Sequence, residues 1–192
     1  MAKVKGVQAR AIFAFLKNRF GDEAVNAAVD ALPADVRQLW PQTLLDSSWY
    51  SYDILKPIRG ISRLLAPAGG DELAIEMGKF IADYTLGGLY RSLLEKNPQK
   101  QVEKFSWVHD FFYQDSQKIE TATLGSTSCA VRYRYEPGLR PARSTCASIL
   151  GFWTRAIELS GGTKVNGEHP KCVIEGKDCC EFVLSWANVS PT

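Results

Sequence analysis

The residues best suited to chemistry in this sequence are its five cysteines, Cys129, Cys146, Cys172, Cys179 and Cys180. Apolar residues alternate along 179–186, so Cys180 shares a face with Phe182, Leu184 and Trp186, and Cys179 turns away with Glu181, Val183 and Ser185. Cys146 falls on the apolar stripe of a helical stretch with Ile149, Leu150, Trp153, Ala156 and Ile157. Cys172 lies near the end of the strand before Cys180, and a hairpin brings the two together. Three thiols on different elements thus converge on one interior region, with His169 three residues ahead of Cys172. Thiolates plus an imidazole form the ligand set of a four-coordinate structural zinc. Cysteines packed as small hydrophobes explain the same pattern, because no Cys-x-x-Cys pair is present and Pro170 restricts His169.

The second chemical centre is aromatic. His109 sits on a stretch whose apolar face carries Phe105, Val108 and Phe112, and large rings occur at Trp49, Trp107 and Trp153. Rings with polar edges can line a pocket for a small hydrophobic ligand, and Trp49, Trp107, His109 and Trp153 are its candidate lining. An aromatic core accounts for each ring taken singly. Arg132, Arg134, Arg140 and Arg143 form a basic cluster fit for a phosphate or an acidic partner, or for a solvated strand edge. No phosphate-binding glycine loop and no nucleophile–base motif is found, so no catalytic residues are assigned and an enzyme is not expected.

Elements that position these groups follow from periodicity. Helical spacing marks 7–20, 22–32, 33–40, 54–65 and a longer helix opened by Gly69-Gly70-Asp71, with a polar aromatic turn at 46–52. Near residue 115 the period changes to two. Strands are expected at 118–124 and 128–135, a helix at 142–159, and strands at 164–174 and 179–186. The chain therefore reads as an α+β protein. A helical part, 1–115, packs with a hairpin–helix–hairpin part, 116–192, whose antiparallel sheet has about four strands, all within one domain.

Composition limits the partners. The 192 residues are 45% hydrophobic and 23% charged, with a net charge of +2, which argues against a dedicated nucleic-acid arm or polybasic membrane patch. The longest apolar run, residues 11–16, is far too short to span a bilayer, and no secretory signal opens the chain. A cytoplasmic location without membrane insertion, and reduced cysteines, are expected.

Cys146, Cys172 and Cys180, followed by Glu181-Phe182-Val183-Leu184-Ser185-Trp186, resemble the C-terminal half of the four-vinyl-reductase (V4R) domain family. Lys5-Gly6-Val7, Asn18-Arg19-Phe20-Gly21 and Ile157-Glu158-Leu159-Ser160-Gly161-Gly162 resemble heme-nitric-oxide-binding domains and their heme-free relatives, in the same superfamily. In phenol-sensing relatives a helix Cys, an acidic residue and two hairpin Cys hold zinc. The resemblance thus implies Cys146, Cys172 and Cys180 as ligands, with His169 in the acidic position and Glu168 as the adjacent alternative. Gas-sensing relatives ligate heme through a helix histidine and hold its propionates with Tyr-x-Ser-x-Arg. His109 is the matching histidine, but Tyr133-Arg134-Tyr135-Glu136-Pro137 lacks the Ser and the final Arg, so heme is not expected. The resulting expectation is a heme-free, non-enzymatic sensor or adaptor in bacterial signalling. It would bind a small hydrophobic ligand or a protein partner and act as a homodimer. The alternatives are a heme-binding gas sensor and a scaffold like the Golgi tethering-complex subunits of the superfamily.

Overall fold

The computed structural model describes residues 1–40 and 43–187. Strand β1 (Lys3–Lys5) runs directly into helix α1 (Gly6–Phe20), followed by α2 (Asp22–Asp30) and a single-turn α3 (Ala34–Arg37). Gly21, at φ 86°, makes the sharp junction between α1 and α2, a conformation that favours glycine. Next come β2 (Trp49–Ser51), α4 (Leu55–Leu65) and α5 (Gly70–Tyr84). Beyond a wide turn at Thr85–Leu89 lie α6 (Pro98–Glu103), α7 (Phe105–Phe112) and the short β3 (Tyr113–Gln114). The remainder is β4 (Gln117–Gly125), β5 (Ser128–Tyr135), α8 (Arg143–Leu159), β6 (Thr163–Lys171) and β7 (Cys180–Ala187). The protein is α+β, and the antiparallel four-stranded sheet in its C-terminal half has the order β4-β5-β7-β6.

Two N-terminal features differ from the sequence expectation. The helix expected over 33–40 shrinks to α3, and the aromatic turn contains β2. With β1 at its centre, β2 and β3 form a separate three-stranded antiparallel sheet. Strands of two or three residues are too short to print a period of two on the sequence, so this sheet left no pattern to read. Among the described residues, no helix is long and apolar enough to cross a membrane.

The interior is two apolar clusters. One, built on α1, α2 and α4, contains Leu16, Val25, Ile58 and Ile61. The other lies between α7, α8 and the four-stranded sheet and contains Phe105, Phe112, Trp153, Cys146, Cys180 and Phe182. Helices α5 and α8 meet almost backbone to backbone. A Cβ on Gly78 would lie 1.9 Å from the carbonyl oxygen of Ser148, and one on Gly151 would lie 2.2 Å from that of Ile75. This glycine contact holds α8 down between α5 and the sheet, with the Cys146 side of the helix toward the β6–β7 hairpin.

Candidate functional site

The three converging cysteines meet. Cys146 Sγ lies 3.8 Å from Cys180 Sγ and 4.0 Å from Cys172 Sγ, and the remaining sulfur pair is 3.9 Å apart. With one ring nitrogen of His169, the four ligand atoms all lie within 4.8 Å of one another. A tetrahedron with Zn–S bonds of about 2.3 Å has edges of about 3.8 Å, so the sulfurs stand at metal-ligand spacing without a metal. Cys180 has the most thiolate character. Hydrogen bonding from Cys146 holds it well below the usual thiol range, and His169 and the Val173 backbone N–H add to this against the effect of burial. The same sharing pushes Cys146 upward. His169 stacks on Phe182 with centroids 4.4 Å apart, and among the described residues its buried Nε2 has no hydrogen-bond partner. This donor set fits a structural metal.

A β-bulge makes the set possible. Residues three apart on a regular strand point to opposite faces, which would separate His169 from Cys172. Here Glu168 pairs with Val183 and Lys171 with Glu181, so His169 and Pro170 together oppose Phe182. The extra residue resets the alternation: Glu168 and Lys171 remain outside while His169 joins the cysteines. Pro170, which has no N–H to offer a ladder, suits that position. Glu168 is exposed and lies outside the cluster. Cys179 also stays outside it, as its alternation predicts, yet it is buried rather than solvated.

The second centre is a cavity of about 80 Å³ beside α7. His109 and Trp153 line it together with Gln8, Tyr113, Gln117 and Tyr133. His109 is only 4% exposed. Its Nδ1 lies 3.0 Å from Asp110 Oδ1 and its Nε2 lies 2.9 Å from Gln117 Nε2. Asp110 can only accept, so the ring proton belongs on Nδ1, and Nε2 accepts from the Gln117 amide. Burial lowers the His109 pKa, opposed by Asp110, and the ring is neutral. Trp153 donates to the Tyr133 hydroxyl at 2.5 Å, and Tyr113 donates to Gln8 Oε1 at 3.2 Å. Among the described residues, Gln8 Nε2 and Gln117 Oε1 on the wall have no hydrogen-bond partner.

Trp49 and Trp107, expected in this pocket, do not line it. Trp49 belongs to β2, beside the Lys5 ammonium at 5.3 Å, and Trp107 lies on the outer side of α7, 53% exposed. Helical spacing explains the latter, because Phe105, Val108, His109 and Phe112 take the buried face and leave residue 107 outside. Gln8 and Gln117 were missed by sequence reasoning. The only signal for Gln8 was a polar residue inside the apolar first turns of α1.

No protein-family model matches the sequence, and no curated protein matches it. Solved structures do. An H-NOX protein from S. oneidensis in the Fe(II)NO state superposes with a TM-score of 0.72 at 16% identity, covering 96% of this chain and 99% of that one. The H-NOX domain from Shewanella oneidensis in the Fe(II)CO state gives 0.70 at 16% identity over 96% and 99%. An Fe(II) unliganded H-NOX protein from K. algicida gives 0.66 at 13% identity over 98% and 99%. The chain shares the H-NOX fold. These neighbours are Fe(II) proteins, and the likeness to them is one of fold. They bear on the heme-nitric-oxide-binding side of the resemblance and not on its four-vinyl-reductase side.

The residues around His109 do not fit a heme as they stand. The Nε2 lone pair, which iron needs, already accepts from Gln117. Among the described residues no Arg or Lys lines this cavity itself; Arg59 and Arg140 lie in an adjoining one. In the segment where the propionate motif would fall, Arg134 lies outside, paired with Glu120 and Asp178, and the Tyr133 hydroxyl is engaged by Trp153. The cavity is also well below the roughly 300–1,000 Å³ of pockets that enclose drug-sized ligands.

Proposed function

We propose that this protein is a non-enzymatic, heme-free sensor domain of the V4R and heme-nitric-oxide-binding superfamily, in which a small molecule enters the cavity at His109 and a structural zinc on Cys146, His169, Cys172 and Cys180 fixes the hairpin to α8. The observation that carries the reading is the His109 cavity itself, an aromatic enclosure with one unpartnered donor, Gln8 Nε2, and one unpartnered acceptor, Gln117 Oε1. A hydroxyl both gives and takes a hydrogen bond, so a compact molecule with an apolar body and a hydroxyl matches the wall. Its volume admits only a few heavy atoms, which separates this cavity from a macrocycle site. Zinc supplies cross-linking and no chemistry: its four ligands come from α8, the bulge in β6, the hairpin turn and β7. Reporting would pass through contact with a partner or a second copy in the cytoplasm.

The heme-binding gas sensor is the second reading, favoured by the H-NOX fold and by a buried histidine on α7. Absorption spectroscopy, elemental analysis and native mass spectrometry of the freshly purified protein decide between them. One zinc per chain with no Soret band is the expected result. A Soret band with stoichiometric iron, lost in His109→Ala, refutes the heme-free reading.

A further inference from the structure

The four arginines between 132 and 143 do not act together. Arg132 pairs with Glu181 at 2.5 Å, Arg134 with Asp178 at 3.2 Å, and Arg143 with Asp71 at 3.1 Å. Among the described residues, Arg140 has no carboxylate within 4.0 Å, and neither does Arg59 on α4, whose side-chain hydrogen bond is to the Tyr52 hydroxyl at 3.4 Å. Both line a second cavity, of about 230 Å³, that shares Tyr52 and Gln117 with the aromatic one. Local sequence puts Arg140 there. Pro137-Gly138 occupies the middle of a turn closed by Leu139 N–H to Glu136 O at 3.0 Å, with Gly138 at φ 87°. Also on the wall, Lys56 is already paired with Asp53 at 2.9 Å, and the buried hydroxyl of Tyr135 has no partner. Two guanidinium groups without a carboxylate and one unpartnered hydroxyl thus share a wall with one acidic side chain that is itself neutralised. Such a set asks for an anion, and guanidinium suits the planar carboxylate.

We infer that the ligand is a small hydroxylated carboxylic acid, with its carboxylate held by Arg59, Arg140 and Tyr135 in the outer cavity and its hydroxyl-bearing body in the aromatic cavity. This rests on the proposed ligand reading of the His109 cavity and adds the charged end. It also explains why the aromatic cavity has no cation of its own: the anionic end belongs one wall further out.

The test is calorimetric titration of the full chain at neutral pH with 4-hydroxybutyrate, with the neutral alcohol 1,4-butanediol, and with inorganic phosphate, probes whose hydroxyl-bearing part has only a few heavy atoms. The carboxylate is expected to bind about ten- to a hundredfold more tightly than the alcohol, the value of charge-assisted hydrogen bonds. That preference should be lost in Arg140→Gln, an exposed position, and in Arg59→Gln, with alcohol binding unchanged. Tyr135→Phe should reduce it in part. Equal binding of acid and alcohol overturns the inference and leaves the cavity reading intact. Binding of neither organic probe overturns both, and binding of phosphate alone overturns the inference by removing the organic body.

Discussion

Metal removal gives the most decisive measurement. The three sulfurs stand 3.8–4.0 Å apart, already close to the edge of a zinc tetrahedron, so binding needs little rearrangement of the fold. A ligand present at about 1,000 times its Kd stabilises the folded state by about 4 kcal/mol. Unfolding entropy near 2.1 cal/mol/K per residue makes about 0.4 kcal/mol/K for 192 residues, so stripping the metal should lower Tm by about 10 °C. Cys172→Ser without metal changes only a buried contact, about 1–2 kcal/mol or roughly 2–5 °C. The informative quantity is therefore the interaction. A chelator should shift the unsubstituted protein by the full amount, shift Cys172→Ser hardly at all, and leave Cys179→Ser fully responsive. Calorimetry with and without chelator reads the shift, and cobalt replacement with thiolate charge-transfer absorption reads the ligands. A protein purified without zinc whose Tm ignores both chelator and added metal would refute the reasoning and return the cysteines to plain packing.

Three other perturbations follow from the same geometry. Gly78→Ala puts a carbon against the Ser148 carbonyl, forces α5 and α8 apart by about 1 Å, and should cost about 1–3 kcal/mol and lower the bound zinc, since Cys146 lies two residues from the contact; unchanged Tm and metal content would show that the helices do not depend on it. His109 is held neutral by burial, so below its ordinary pKa of 6.5 the unfolded chain takes up a proton that the folded one resists; stability should fall as pH drops from about 6.5 toward the lower folded value, and calorimetry should show that part of the slope absent in His109→Gln. Trp153→Ala should cost about 3–5 kcal/mol by denaturant unfolding, whereas Trp107→Ala, on the outer face of α7, should stay within about 1 kcal/mol.

The sequence made legible what is repetitive and left hidden what is made by exceptions. The alternation over Cys180, Phe182, Leu184 and Trp186 is the observed buried face of β7, and the stripe with Cys146 and Trp153 is the observed buried face of α8. Their meeting could be read because both patterns are long. The coincidence of His169 with Cys172 could not be derived from any regular period, because it needs a bulge, and only Pro170 hinted at one. The pocket failed for a different reason. Residue type alone groups Trp107 with Trp153, although helical spacing sets Trp153 on the apolar stripe of α8 and leaves Trp107 off that of α7. Gln8 bonds Tyr113 from 105 positions away. Gln117 and Arg59 bond His109 and Tyr52, each on a different element from its partner, at separations of 8 and 7, so no single helix or strand period links them.

One fold can separate its scaffold from its cofactor, because shape follows from packing and a site from a few side chains. On the proposed heme-free reading three features oppose heme at this histidine: its ring nitrogen is taken, the arginine of the propionate-motif segment faces out, and the cavity is small. Arg59 and Arg140 lie in the adjoining cavity. Gln117 on β4 takes the histidine nitrogen, Arg134 is drawn outward by Glu120 and Asp178, and Trp153 reaches across from α8 to the Tyr133 hydroxyl. These residues lie on different elements, so reversing one does not restore the others. Gln117→Ala alone should free the nitrogen without creating heme affinity; a Gln117→Ala protein that takes up hemin stoichiometrically would show that the histidine partner, and not the cavity, is what keeps iron out.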